Sequence, residues 1–81
     1  MSNYEMHVAV KNGDLNKVKE LVEKGAFIME FDENKDTPMH IACKYKKWDI
    51  IKFLLDNGGA LSMLIHNNDK ELPEDCITKF Y

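Results

Sequence analysis

Two cysteines, Cys43 and Cys76, are all the thiol that 81 residues carry. That is too few for a disulfide framework, and no CxxC pair offers a zinc or redox site. Serine is as scarce: Ser2 and Ser62 have no nearby residue of catalytic type, and no Gly-x-Ser-x-Gly frames either. Long apolar runs are missing as well. The longest, Leu61 to Ile65, is interrupted by Ser62 and falls far short of the ~20 residues that span a bilayer. The opening MSNYEMHVAV has no basic region followed by an apolar stretch, so it reads as no signal peptide. An excess of one charge is also lacking. The net charge is −3, whereas nucleic-acid binding usually shows as basic residues gathered on one face. The densest basic cluster, Lys44, Lys46 and Lys47, is offset by Asp36 and Asp49 and reads as a solvated helix end. No glycine-rich loop cradles phosphate, since Asn57-Gly58-Gly59 is a helix stop. These absences exclude most enzyme classes, membrane spans and nucleic-acid readers. They predict an intracellular, reducing location, cytoplasmic or nuclear.

What is present is a small folding unit. The apolar share is 44% and the charged share 31%, which is ordinary for a folded domain. At this length the chain makes one domain with a marginal core. The core is organised by repetition. Laid over itself at a shift of 33, the sequence matches His7 with His40, Ala9 with Ala42, Val18 with Ile51, Leu21 with Leu54, Val22 with Leu55, and Gly25 with Gly58. Each unit reads as two short helices. In the second, Thr37 is a good N-cap, because its hydroxyl accepts from an orphan backbone N–H. Pro38 at the first helical position loses no hydrogen bond. Met39, Ile41, Ala42 and Cys43 follow, with Cys43 a small buried hydrophobe. Asp49 then suits the positive end of a second helix, in which Ile50, Ile51, Phe53, Leu54 and Leu55 form a stripe wide enough to be covered by two neighbours. Gly58 ends that helix. The first unit repeats the plan: a helix from about Tyr4 to Lys11, a turn at Asn12-Gly13-Asp14, a helix carrying Leu15, Val18, Leu21 and Val22 inward, and a stop at Gly25. Phe27 to Phe31 then reads as a brief extended stretch, and Asp32 to Asp36 as a polar turn.

The segment Asp36-Thr37-Pro38-Met39-His40-Ile41-Ala42 resembles the TPLHxA signature of the ankyrin-repeat family, and the spacing of 33 is that family's period. Ile50 to Gly58 and Val18 to Ala26 resemble its second-helix ending. The resemblance covers the chain from Tyr4 to about Ile77. It implies an all-α, short ankyrin-repeat stack within one domain, residues 1–81: repeat one about 4–36, repeat two about 37–70, and a partial repeat about 71–81. It also implies that Thr37, His40 and, in part, His7 tie each first helix to its own turn and to the adjacent unit, with Pro38 completing the structural motif and the two histidines in equivalent places.

Departures from the family pattern carry their own expectations. Lys35 and Lys46 stand where the family has glycine, which predicts left-handed or altered backbone at a cost of roughly 1 kcal/mol each. Pro38 follows Gly25 by 13 residues, but Pro73 follows Gly58 by 15, an insertion of about two. The last unit, from Leu72, has a first helix only. Three explanations fit that: a fragment of a longer protein, a terminal cap, or self-association through the end, with Leu61–Ile65 and Phe80-Tyr81 as the apolar contact.

His7, His40 and His66 lack the convergent pattern of metal ligands, and His40 belongs to the repeat signature. No metal and no cofactor is expected. The resemblance implies instead a protein-interaction module that binds through hairpin tips and the concave face of the first helices. The expected contact residues are Glu33, Asn34, Lys35 and Asp36 at the tip, Lys11, Asn12, Lys44 and Tyr45 at helix ends, and Trp48 beside them. Tyr45 and Trp48 serve either as packing or as contact anchors. Ordered turns lose little entropy on binding, which makes rigidity the mechanism. The partner expected is a protein, with neither nucleic acid nor membrane. A regulatory or targeting segment of a larger protein is the alternative.

Overall fold

The structure is a computed structural model that describes residues 4–79, with side chains through Ile77. It contains helices α1 (Glu5–Lys11), α2 (Leu15–Glu23), α3 (Pro38–Lys44), α4 (Trp48–Asp56), a 3-10 helix (Gly59–Leu64) and α5 (Pro73–Lys79). Among the described residues there is no strand, and no helix is long and apolar enough to cross a membrane. Each pair is a hairpin: α1 packs on α2 and α3 on α4. The first helices line up as α1–α3–α5, and α2 lies against α4. The 3-10 helix closes on α4, α3 and α5.

Local chemistry sets the boundaries. The Thr37 hydroxyl accepts from the His40 N–H, His40 Nδ1 accepts from the Thr37 N–H, and Pro38 occupies the first turn. Asp14 caps α2 by accepting from the Lys17 N–H at 3.1 Å. Gly58, at φ 93°, ends α4. The two hairpins then bury one shared core. Val10 and Val18 of the first, with Ala42, Cys43, Ile50 and Leu54 of the second, have no exposed surface. Neither hairpin hides its apolar side alone, so stacking supplies the stability.

Lys35 and Lys46 adopt φ 59° and 53°, the left-handed backbone that the missing glycines predicted. Lys70, at φ 62°, does the same in the second turn. One expectation needs correction. Phe27–Phe31 is not an extended stretch but a turn, in which the Glu30 N–H donates to the Phe27 carbonyl at 3.3 Å. An isolated extended segment has no ladder to satisfy its backbone, and the matching segment after Gly58 is helical. The apolar run Leu61–Ile65, in the segment that carries the two extra residues, is no extended stretch either. Most of it coils into the 3-10 helix, which turns Ser62 inward and leaves Leu61 and Leu64 exposed. Phe80 and Tyr81, expected to share an apolar contact with this run, lie outside the described residues.

Candidate functional site

The inter-repeat turns are copies of each other at an offset of 35, the 33-residue period plus the insertion. In the first, Asp32 Oδ1 accepts from the Asn34 and Asp36 N–H groups, each at 2.9 Å. In the second, Asn67 Oδ1 accepts from the Asp69 and Glu71 N–H groups at the same distance. Backbone bonds repeat too. The Asp32 N–H donates to the Asp36 carbonyl and the Asn67 N–H to the Glu71 carbonyl. A histidine reaches each turn from the preceding repeat. His7 Nε2 donates to the Asp36 carbonyl at 2.8 Å, and His40 Nε2 donates to the Glu71 carbonyl at 2.9 Å. Since a carbonyl only accepts, both rings carry the proton on Nε2. His40 Nδ1 then accepts from Thr37, whereas His7 Nδ1 has no hydrogen-bond partner among the described residues. Tyr4 occupies the cap position of α1 with no side-chain cap bond.

The two turns are joined edge to edge. The Asn68 N–H donates to the Asn34 carbonyl at 2.9 Å. Asn67 Nδ2 donates to Asp36 Oδ1 at 2.7 Å, and Lys44 Nζ to Asp36 Oδ2 at 3.0 Å. Burial alone would raise the Asp36 pKa. The hydrogen bonds from Asn67 and Lys44, with the Lys44 charge and Asn34, outweigh it and hold the carboxyl below the usual carboxylate range. Burial likewise opposes the Lys44 charge, and Asp36 reverses that, leaving the Lys44 pKa raised.

This network corrects two expectations. Asp36 is not an exposed tip residue: it is 3% exposed, with its carboxylate fully engaged. Lys44 is not a solvated helix end, because its ammonium folds back onto Asp36 with 19% of its side chain exposed. Sequence spacing missed the pair because its members lie at opposite ends of α3 and meet only when the side chain lies along the helix.

Between the first helices lies a groove of about 250 Å³ lined by His7, Val8, Lys11, Asp32, Ile41, Lys44 and Tyr45. Lys11 Nζ sits 5.6 Å from the Tyr45 ring centroid, across the groove, a separation at which a cation and a ring face attract. Lys11, Lys44 and Tyr45 are thus brought together. Asn12 lines a separate depression of about 280 Å³ with Val8 and Asp14. Glu33 and Asn34 border a third, of about 250 Å³, with Tyr4 and Asp32. Lys35 is exposed on its turn, and Trp48, 57% exposed at the start of α4, lines none of the three. Val8, Ile41 and Asp32 were not foreseen as site residues. A signal existed: Val8 and Ile41 each follow the repeat histidine, 33 residues apart. Being apolar, they read as core, yet Val8 is 52% exposed.

Other chemistry is disfavoured by the same geometry. His40 spends both ring nitrogens on hydrogen bonds within the fold. Cys43 and Cys76 are fully buried, and burial pushes their thiols up to about 12 and about 11, so neither is a thiolate nucleophile near neutrality.

A family model for ankyrin repeats, three copies, matches residues 3–71. The chain is 41% identical over 76 residues to human protein phosphatase 1 regulatory subunit 27, covering 94% of this chain and 48% of that protein. Its mouse counterpart is 42% identical over 72 residues, covering 89% and 46%. The eye-specific diacylglycerol kinase of Drosophila melanogaster is 38% identical over 65 residues, covering 80% of this chain but 4% of the kinase. The chain therefore spans about half the length of the regulatory subunits and a small part of the kinase. Stacked hairpins, repeated histidine-to-turn bonds and these matches lead to one conclusion: the chain belongs to the ankyrin-repeat family.

Proposed function

We propose that this chain is a non-catalytic module that binds a protein partner in the groove between α1 and α3, with the turn tips as its border. Ankyrin repeats generally mediate protein–protein interaction. The observation that carries the finer reading is the groove itself. Val8, Ile41 and Tyr45 present apolar surface there, although a fold this small gains from burying every such side chain. Its walls are stiff, because the turns beside it are held by side-chain and backbone bonds on both edges. Little order remains to be lost on binding.

Affinity capture from cell extract tests the reading. Val8→Glu with Tyr45→Ala should remove the bound proteins, and Glu33→Lys with Lys35→Glu should weaken them. Lys24→Glu, just past the end of α2, and Lys52→Glu, on α4, should leave them in place. Loss with the second-helix variants and retention with the groove variants would overturn the assignment. A second reading, a regulatory subunit of a phosphatase, is supported by the two relatives whose names say so. Direct titration with the protein phosphatase 1 catalytic subunit decides it, and no binding removes it.

A further inference from the structure

The geometry points to a partner segment of defined charge order: an extended peptide that sets an apolar side chain against Val8 and Ile41, a cationic side chain at Asp32 and a carboxylate at Lys11. This rests on the groove reading above and adds the chemistry of its occupant.

The two turns differ in one side chain that plays the same part in each. Asp32 and Asn67 do the same structural work, each with its Oδ1 accepting two backbone N–H groups. The turn needs one oxygen and no charge, as Asn67 shows. At Asn67 the remaining atom is used, since Nδ2 donates to Asp36 and Glu71. At Asp32 the second oxygen, Oδ2, has no hydrogen-bond partner among the described residues, and the side chain borders the groove. The turn therefore gives no reason for a negative charge at position 32.

The opposite end of the groove carries the opposite sign. His7 touches the turn that holds Asp32, and Lys11 lies four residues further along α1, about 6 Å along the axis. Lys11 makes no ion pair with a described residue. Its contact is the Tyr45 ring, which fixes the ammonium over the groove and leaves its N–H donors for an acceptor. The other charges lining the groove cancel, because Lys44 is engaged by Asp36. What faces an occupant is a negative end, an apolar middle of Val8 and Ile41, and a positive end. A strand of like charge would meet repulsion at one end. A segment with a basic and an acidic residue on either side of an apolar one meets attraction at both, which fixes the direction in which it lies.

The test is titration of the isotope-labelled full chain, followed by amide NMR shifts. The probes are short acetylated peptides with a central leucine flanked by lysines on one side and glutamates on the other, in both chain orders. Peptides with lysine on both sides and with glutamate on both sides are the comparison. One mixed order should bind at least threefold tighter than either uniform peptide, shifting Val8, Lys11, Ile41 and Tyr45. Asp32→Asn, which keeps the turn as Asn67 does, should weaken the mixed and lysine peptides about three- to fivefold, the scale of an exposed ion pair, and tighten the glutamate peptide, whose repulsion at that end it removes. Lys11→Gln should do the converse. Equal binding of all peptides in the groove would overturn the charge order and leave the groove standing. Shifts elsewhere, or none with any peptide, would overturn both.

Discussion

At the scale of single residues, Asp36 joins three parts of the fold. Its carboxylate meets Asn67 from the next turn and Lys44 from the end of α3, and its carbonyl meets His7 from the preceding helix. Its depressed pKa makes it a source of stability with a definite pH range. A group whose folded pKa is lowered contributes fully above its unfolded pKa, about 3.9, and loses that contribution as pH falls through the folded value. Lys44 is the mirror case. Raised in the fold, it contributes fully below an unfolded pKa of about 10.4 and loses this as pH rises further. Both contributions are complete from about pH 5 to about pH 10, with a decline at the acid end as Asp36 takes a proton. Asp36→Asn should cost about 2 kcal/mol near neutrality, the scale of hydrogen bonds to a charged group. Its melting temperature should also fall less between pH 6 and pH 3 than that of the native chain. Parallel declines in circular-dichroism melts would show that Asp36 is not the titrating group.

At the scale of elements, the junction after α4 decides how the inserted residues are absorbed. Gly58 takes φ 93° to end the helix, with open space where a Cβ would stand. Gly59 is different, because a Cβ there would lie 2.6 Å from the Leu54 carbonyl oxygen. The 3-10 helix therefore begins pressed onto the last turn of α4, which explains how Ser62 becomes fully buried. Gly58→Ala should cost about 1–2 kcal/mol through left-handed strain. Gly59→Ala should cost about 1–3 kcal/mol through overpacking, and should also expose the 3-10 segment. Amide hydrogen exchange separates the two. Faster exchange from Leu61 to Ile65 is expected in Gly59→Ala and not in Gly58→Ala, and equal exchange in both would contradict the close approach.

At the scale of the whole molecule, stability belongs to the interface between hairpins. The fully buried side chains come from both hairpins and from α5, and the turns are tied by Asn67–Asp36 and Asn68–Asn34 bonds. Urea unfolding should accordingly be one transition. Trp48 is the sole tryptophan and reports on α4, while far-ultraviolet circular dichroism reports on all helices. Coincident midpoints are expected, as for a two-state domain. A Trp48 transition at lower urea would mean that the second hairpin opens by itself.

The sequence by itself determined the repeat, because a 33-residue offset, Thr37-Pro38 and the glycine stops act through local backbone chemistry that needs no neighbour. Set against the family pattern, it also marked the strained positions Lys35 and Lys46, where the family's glycine is missing, but not Lys70. Of the contact residues, Lys11 and Tyr45 could be read from helix ends. What only the tertiary structure decided was which polar residues are spent inside. Asp36 and Lys44 look like surface in the chain, yet they neutralise each other along α3, and Asn67 reaches Asp36 from 31 residues away. The same holds for Val8 and Ile41, whose apolar character suggests core and whose place between two first helices makes them groove. Local rules act over a few residues. The partners of a charge, and the side of a helix left uncovered, depend on how one hairpin lies against the next.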